Sequence, residues 1–189
     1  MKITDPDFFD TLKESLPKEN QIEIDNFMCK DWNVYYELYN PENFEDPLNP
    51  PGAWYDPNSN YEYYEKPFRG TEHITIYTDE EKVNLTALQK LIKNSGNIEQ
   101  EILSTLVNYT FGNGGAYASG KHYSYAKKTI ELFHNTTFTD EEFIKRNLRI
   151  DTIVIPEEKD EVHLDFRCGW DGEHGIIVKI KNNKVKEVE

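Results

Sequence analysis

Residues 162–185, Val-His-Leu-Asp-Phe-Arg-Cys-Gly-Trp-Asp-Gly-Glu-His-Gly-Ile-Ile-Val-Lys-Ile-Lys-Asn-Asn-Lys-Val, decide the fold class. Val162, Leu164, Phe166 and Cys168 alternate with His163, Asp165 and Arg167, the period of a strand with one face buried and the other in water. Ile176, Val178 and Ile180 alternate in the same way. Asn182-Asn183 then turns the chain into Val185, a two-residue hairpin signal. Upstream, Ile150 to Ile155 reads as another strand, stopped by Pro156. Together these segments predict a C-terminal β-meander.

The alternation also constrains how the first hairpin pairs, because all apolar side chains must fall on one face. A three-residue loop, Asp171-Gly172-Glu173, meets that condition. It sets Trp170 opposite His174, Cys168 opposite Ile176, Phe166 opposite Val178 and Leu164 opposite Ile180. A two-residue Asp-Gly loop would set Phe166 against Ile177 and Leu164 against Lys179, mixing the faces. The three-residue loop, with a glycine at positive φ, is therefore expected.

That hairpin end gathers Trp170, Asp171, Glu173 and His174. One reading is a small polar site, in which a carboxylate orients His174 or a divalent metal is completed by groups elsewhere. The other is structural: Trp170 caps the core and His174 bonds a carboxylate or a carbonyl. No second His or Cys stands at ligand spacing. Nothing assigns a catalytic residue. There is no Gly-x-Ser-x-Gly elbow, and Cys168 falls on the core face, where thiols are inert. No cofactor motif is present; Phe111-Gly112-Asn113-Gly114-Gly115 matches no phosphate-binding fingerprint.

The middle of the chain is helical. Leu85, Leu88, Leu91 and Ile92 mark one helix, closed by Ser95-Gly96. Asn97 with Gln100 resembles a capping box for a second, with Ile98, Ile102, Leu103 and Leu106 at helical spacing. Residues 121–133 read as a further helical stretch, and Thr139-Asp140-Glu141-Glu142 as a capping box opening a helix through Arg146. Ile74 to Tyr77 is a strand. The fold class is α+β: an antiparallel β-sheet with a central helical pair packed on one face.

In the N-terminal third, Asp5-Pro6 before Phe8, Phe9, Leu12 and Leu16 predicts a short helix capped by Asp5 and ending before Pro17. Ile22, Ile24 and Phe27, then Val34, Tyr36 and Leu38, read as two strands joined near Lys30-Asp31. Residues 40–70, punctuated by prolines, form a long irregular segment. Its rings, Trp54, Tyr55, Tyr61, Tyr63 and Tyr64, make either a protein-binding loop or a segment folded back on itself.

Composition sets limits. Aromatic residues at 13% argue for a folded chain despite low mean hydropathy. The length fits a single α+β domain over 1–189, with 1–70 as an acidic extension of it. The net charge is −14, which argues against nucleic acid or an anionic membrane surface as partner and is compatible with a basic protein. Residues 1–70 carry 15 acids and 6 bases, residues 71–189 carry 20 and 15, so the surplus lies toward the N-terminus. Two distant cysteines, Cys29 and Cys168, without Cys-x-x-Cys spacing, and no apolar leader or spanning segment, point to a cytoplasmic protein with reduced thiols.

With Trp170, Asp171, Glu173, His174 and Gly175 on the page, the chain resembles a bacterial domain-of-unknown-function family. Its members close with a Cys-x-Trp-Asp-x-Glu-His-Gly signature. The resemblance covers roughly residues 70–189, with Leu88, Leu91 and Ile98 supporting it diffusely. It implies a cytoplasmic α+β domain and, by analogy, an immunity-like role in a toxin system. The expected function is a protein-binding module facing a basic partner such as a nuclease toxin. The alternatives are a metal-assisted hydrolase using Asp171, Glu173 and His174, and a purely structural domain.

Overall fold

The computed structural model describes residues 1–32, 36–39, 62–65, 73–112, 127, 131, 136–157, 160–168 and 171–189; for 36–39, 62–65 and 171–174 it describes the backbone alone. The elements whose bounds are described run in the order α1 (Phe8–Glu19), β1 (Gln21–Asp25), β2 (Tyr36–Tyr39), β3 (Glu62–Glu65), β4 (His73–Tyr77), α2 (Thr86–Lys93), α3 (Ser95–Phe111), α4 (Asp140–Asn147), β5 (Leu148–Val154), β6 (Glu161–Cys168), β7 (Asp171–Lys181) and β8 (Lys184–Val188). Six strands form one sheet in the order β1-β4-β5-β6-β7-β8. All neighbours in it are antiparallel except β4 and β5, which are parallel, as a helical crossover that includes α2, α3 and α4 allows. The fold is mixed α+β, and β5 to β8 form the expected meander.

One face of this sheet is the core. Ile24, Ile74, Ile76, Ile153, Leu164, Phe166, Val178 and Ile180 are all buried on it, each worth about 1.5–3 kcal/mol relative to exposure. Phe8, Leu12 and Leu16 of α1 and Ile98, Ile102, Leu103 and Leu106 of α3 join the same core. Those spacings are the reason these segments are helical: each brings its apolar residues onto one side. α1 meets β1, α2 meets β6, and α3 meets β8.

Several local expectations are corrected. α1 begins at Phe8, with Asp7 at its N-cap and no side-chain cap bond, so neither Asp5 nor Pro6 opens it. It also runs through Pro17 to Glu19. Proline removes only one late hydrogen bond there, while buried Leu16 holds the last turn. Asn20 closes the helix at φ 61°, its N–H donating to Leu16 O at 2.9 Å. The break between α2 and α3 falls at Asn94, not at Ser95-Gly96, and Asn97 is inside α3 rather than its cap. The Asn94 N–H donates to Lys90 O at 3.1 Å, and its carbonyl accepts from Asn97 and Ile98, so one helix ends where the next starts.

β1 and β2 are not partners. β1 pairs with β4 (Ile22 opposite Ile76, Ile24 opposite Ile74) and stops at Asp25, before buried Phe27. β2 instead pairs with β3, which lies inside the segment expected to be irregular. Tyr63 and Tyr64 are in β3. The stretch 121–133 falls outside the described residues apart from Lys127 and Glu131, which are helical. The Thr139 capping box is present with both bonds: Glu142 N–H to Thr139 Oγ1 at 3.2 Å, and Thr139 N–H to Glu142 Oε2 at 2.8 Å.

The β6–β7 register differs from expectation by two residues. Phe166 faces Ile176, Leu164 faces Val178 and Val162 faces Ile180. Alternation is blind to a shift of two, since it leaves every side chain on its own face. The shift is taken up near the turn, where Cys168 faces Asp171. Between the two pairings stand Arg167 alone on β6 and residues 172–175 on β7. β6 ends at Cys168 and β7 begins at Asp171, so Asp171 to Glu173 belong to the strand rather than to a loop. The β7–β8 turn matches its reading: Asn182 and Asn183 have φ of 51° and 62°, the paired positive values of a type I′ turn.

Candidate functional site

The described residues of the two candidate patches, Asp171, Glu173 and His174 on one side and Tyr63 and Tyr64 on the other, lie on different sheets. Trp170 lies outside the described residues. Asp171, Glu173 and His174 form the first part of β7, with backbone only described. Trp54, Tyr55 and Tyr61 also lie outside the described residues, while Tyr63 and Tyr64 pair through β3 with Leu38 and Glu37 of β2.

The structure assembles a polar surface that the sequence reading did not single out, on the sheet face away from the core. It grows from the odd-numbered residues of β6: Glu161, His163, Asp165 and Arg167. Arg167 stands directly opposite Arg149 on β5, a repulsive placement by itself. A β-bulge at Asp151 resolves it. The extra residue re-aims the strand, and the Asp151 carboxylate accepts from Arg149 Nη2 at 3.0 Å and Arg167 Nε at 3.1 Å.

At the other end of β6, Glu161 is buried although charged. His163 Nε2 lies 2.9 Å from its Oε1, and Lys181 and Lys186 approach Oε2 at 3.2 and 3.7 Å. The His163 hydrogen bond, then the two ammonium groups, hold the Glu161 carboxyl below the usual carboxylate range. Asp165, on the same face and strand, goes the other way. Burial raises its pKa, His163 lowers it in part, and the Asp151 charge raises it further. On β7 and β8, Lys179 bonds Glu187 at 3.3 Å and Glu189 at 2.5 Å, and those bonds raise its own pKa.

This face is thus largely self-neutralised. Its signal was visible as Glu-x-His-x-Asp-x-Arg on one side of a strand, but solvated strand faces routinely carry such runs. Elsewhere, His73 lies 3.6 Å from Asp25 and 3.9 Å from Glu23. Among the described residues no three His, Cys, Asp or Glu side chains are grouped to hold a metal. Cys29 and Cys168 are buried and not joined in a disulfide; burial, followed by the nearby Glu99 charge, pushes the Cys29 thiol well above its ordinary range, so the thiolate is disfavoured. No described helix is long and apolar enough to cross a membrane.

The contrast to the sheet face is α1. Its buried side is Phe8, Leu12 and Leu16, and Asp7, Asp10 and Glu14 are exposed along the other side at helical spacing. None of these three forms an ion pair among the described residues, whereas Asp151, Glu161, Glu187 and Glu189 of the sheet face do.

The profile of a family described as a domain of unknown function, DUF6985, matches residues 45–189, and the chain belongs to that family. The match extends well upstream of residue 70, where the resemblance began. No curated protein and no solved structure matches.

Proposed function

We propose, with membership of this family as premise, that the chain is a cytoplasmic bacterial protein-binding module, immunity-like, that engages a basic protein partner. The observation that carries this reading is the uneven pairing of charge. Asp151, Glu161, Glu187 and Glu189 on the polar sheet face are matched by Arg149, Arg167, Lys179, Lys181 and Lys186, whereas among the described residues the exposed acids Asp7, Asp10 and Glu14 of α1 have no such matches. A surplus left on one element steers a partner of opposite sign and sets register more than affinity. In this reading the Trp54, Tyr55, Tyr61, Tyr63 and Tyr64 segment supplies the aromatic anchors that charge alone does not. α2 and α3 serve as a helical pair seated on the buried sheet face. The Trp-Asp-x-Glu-His-Gly hairpin is the family's mark, and its role is structural.

The test is capture of partners by the tagged full chain from its own host's lysate, at low and high salt. Three variants run in parallel: Asp7→Lys/Asp10→Lys/Glu14→Lys, Tyr61→Ala/Tyr63→Ala/Tyr64→Ala, and His174→Ala. The expected result is one stoichiometric basic protein that weakens with salt, is lost with the first two variants and is kept by the third. A partner lost only with His174→Ala, or none under any condition, overturns the reading.

A further inference from the structure

β8 is an edge of the six-stranded sheet, so among the described residues no strand lies beside it on one side. Ile177 and Glu189 exchange both backbone hydrogen bonds at 2.9 Å, which makes them a bonded pair of the antiparallel ladder. Val188, opposite Val178, occupies the next, non-bonded position, so its N–H and C=O turn off the sheet edge. Val185, opposite Ile180 and one step from the hairpin pair Lys181–Lys184, is oriented alike. Its N–H is already taken: Glu101 of α3 accepts it through Oε1 at 3.0 Å. A side-chain carboxylate thus stands where the carbonyl of a neighbouring strand would. Past Glu101 the helix and the edge leave an open groove of about 360 Å³, lined by Thr105, Asn108 and Tyr109 of α3 and by residues 185–188 of β8.

We propose that this groove takes an extended peptide segment of a partner protein, added to β8 as a further strand between the edge and α3. The segment's backbone bonds the outward N–H and C=O of Val188, and its carbonyl replaces Glu101 on Val185. The chemistry of the occupant follows from the walls. The edge offers backbone groups at strand spacing, which only another extended backbone matches in series. Tyr109, Val185 and Val188 are half-buried apolar surface, so every second side chain of the segment is apolar, and Thr105 and Asn108 receive the polar ones. The nearby charges are occupied internally, Lys186 by Glu161 and Glu187 and Glu189 by Lys179, so the segment carries no net charge. β1 and β8 are opposite edges of the sheet, which makes this surface separate from the acidic α1 side and independent of the reading above.

The experiment is an amide-resolved NMR titration of the full chain with the blocked peptide acetyl-Thr-Val-Thr-Val-Thr-amide. Saturable shifts confined to residues 105–109 and 185–188, with slowed exchange of the Val188 amide, are expected. Val188→Pro removes a donor that faces away from β7, so the β7–β8 ladder stays intact; protection of the Ile177 amide, which donates to Glu189 O across that ladder, checks this. That variant is expected to weaken the peptide about fivefold, the worth of one hydrogen bond. Glu101→Ala, which empties the Val185 position, is expected to tighten it by about the same factor. The α1 triple variant is expected to leave it unchanged. No saturable shift up to millimolar peptide, shifts elsewhere, or binding indifferent to both edge variants overturns the proposal. So does concentration-dependent pairing of the chain with itself that protects Val188 without peptide, which would give the edge to a second copy.

Discussion

The two hairpins of the C-terminal meander share a strand, β7, and differ in what sets their register. At β7–β8 the turn residues decide it. Asn182 and Asn183 both accept positive φ, which ties Lys181 to Lys184 from the turn outward. At β6–β7 the core decides it. Phe166 packs against Ile176, with Trp32 stacked on Phe166 at 5.7 Å between centroids. The residues left over are absorbed near the turn, at a glycine. Gly175 has φ +65°, and a Cβ there would lie 2.6 Å from the Phe166 carbonyl oxygen. A turn whose residues accept the paired positive φ values imposes its pairing locally; the β6–β7 pairing instead follows the packing beyond its turn.

The sharpest way to break this comparison is Gly175→Ala. The added methyl meets a backbone atom that cannot swing aside, in a conformation L residues avoid, so a loss of about 2–3 kcal/mol is expected. Urea unfolding followed by circular dichroism measures it. A loss no larger than that of an exposed surface substitution would mean that the irregular end of β7 relaxes freely and its register is not held there.

Asn183→Ala tests the other hairpin and is expected to act more mildly, by about 1 kcal/mol, because alanine tolerates the left-handed region less well than asparagine. Asn183→Gly is expected to be neutral or slightly stabilising in the same assay. If Asn183→Ala exceeds Gly175→Ala, the ranking of the two turns is reversed.

The smallest effects near neutral pH concern β6, the outer strand of the first hairpin, where Glu161 and Asp165 shift in opposite directions. Glu161 has a folded pKa below its unfolded value, so its contribution is present above the unfolded pKa and is lost as pH falls through the folded one. Asp165 has a raised folded pKa, so its contribution is present below the unfolded value and is lost as pH rises through the folded one. Glu161→Gln is therefore expected to lower stability at neutral pH and flatten the fall toward acid. Asp165→Asn is expected to raise neutral stability and steepen that fall. Melting temperatures across the acid range check both, and parallel curves for the two variants would contradict the assignment.

The same division runs through the rest of the molecule. Thr139 and Glu142 were legible as a capping box because each satisfies the other's backbone within one turn. The Ser95-Gly96 stop was not, because Gly96 lacks the positive φ of a helix end and Asn94 does the joining. Pro17 misled for a related reason: near a helix end it removes little, and buried Leu16 outweighs it. Of the candidate site residues, Tyr63 and Tyr64 were read as loop and lie in β3, since a two-stranded pairing across some twenty residues leaves no local trace. The Asp151 link between Arg149 and Arg167 was equally invisible, because it depends on a bulge.

The sequence by itself determined the buried faces of the C-terminal strands, the type of the elements outside β3, the two-residue Asn-Asn turn and the Thr139 cap, all of which rest on contacts within a few residues. Tertiary structure alone decided that β1 joins β4 rather than β2, that β4 and β5 run parallel, and that β6 and β7 pair two residues away from the simplest loop. Side-chain alternation specifies a face but not a partner, and a two-residue slide preserves it. Only the packing of Phe166, Ile176 and their neighbours distinguishes the pairings that alternation allows.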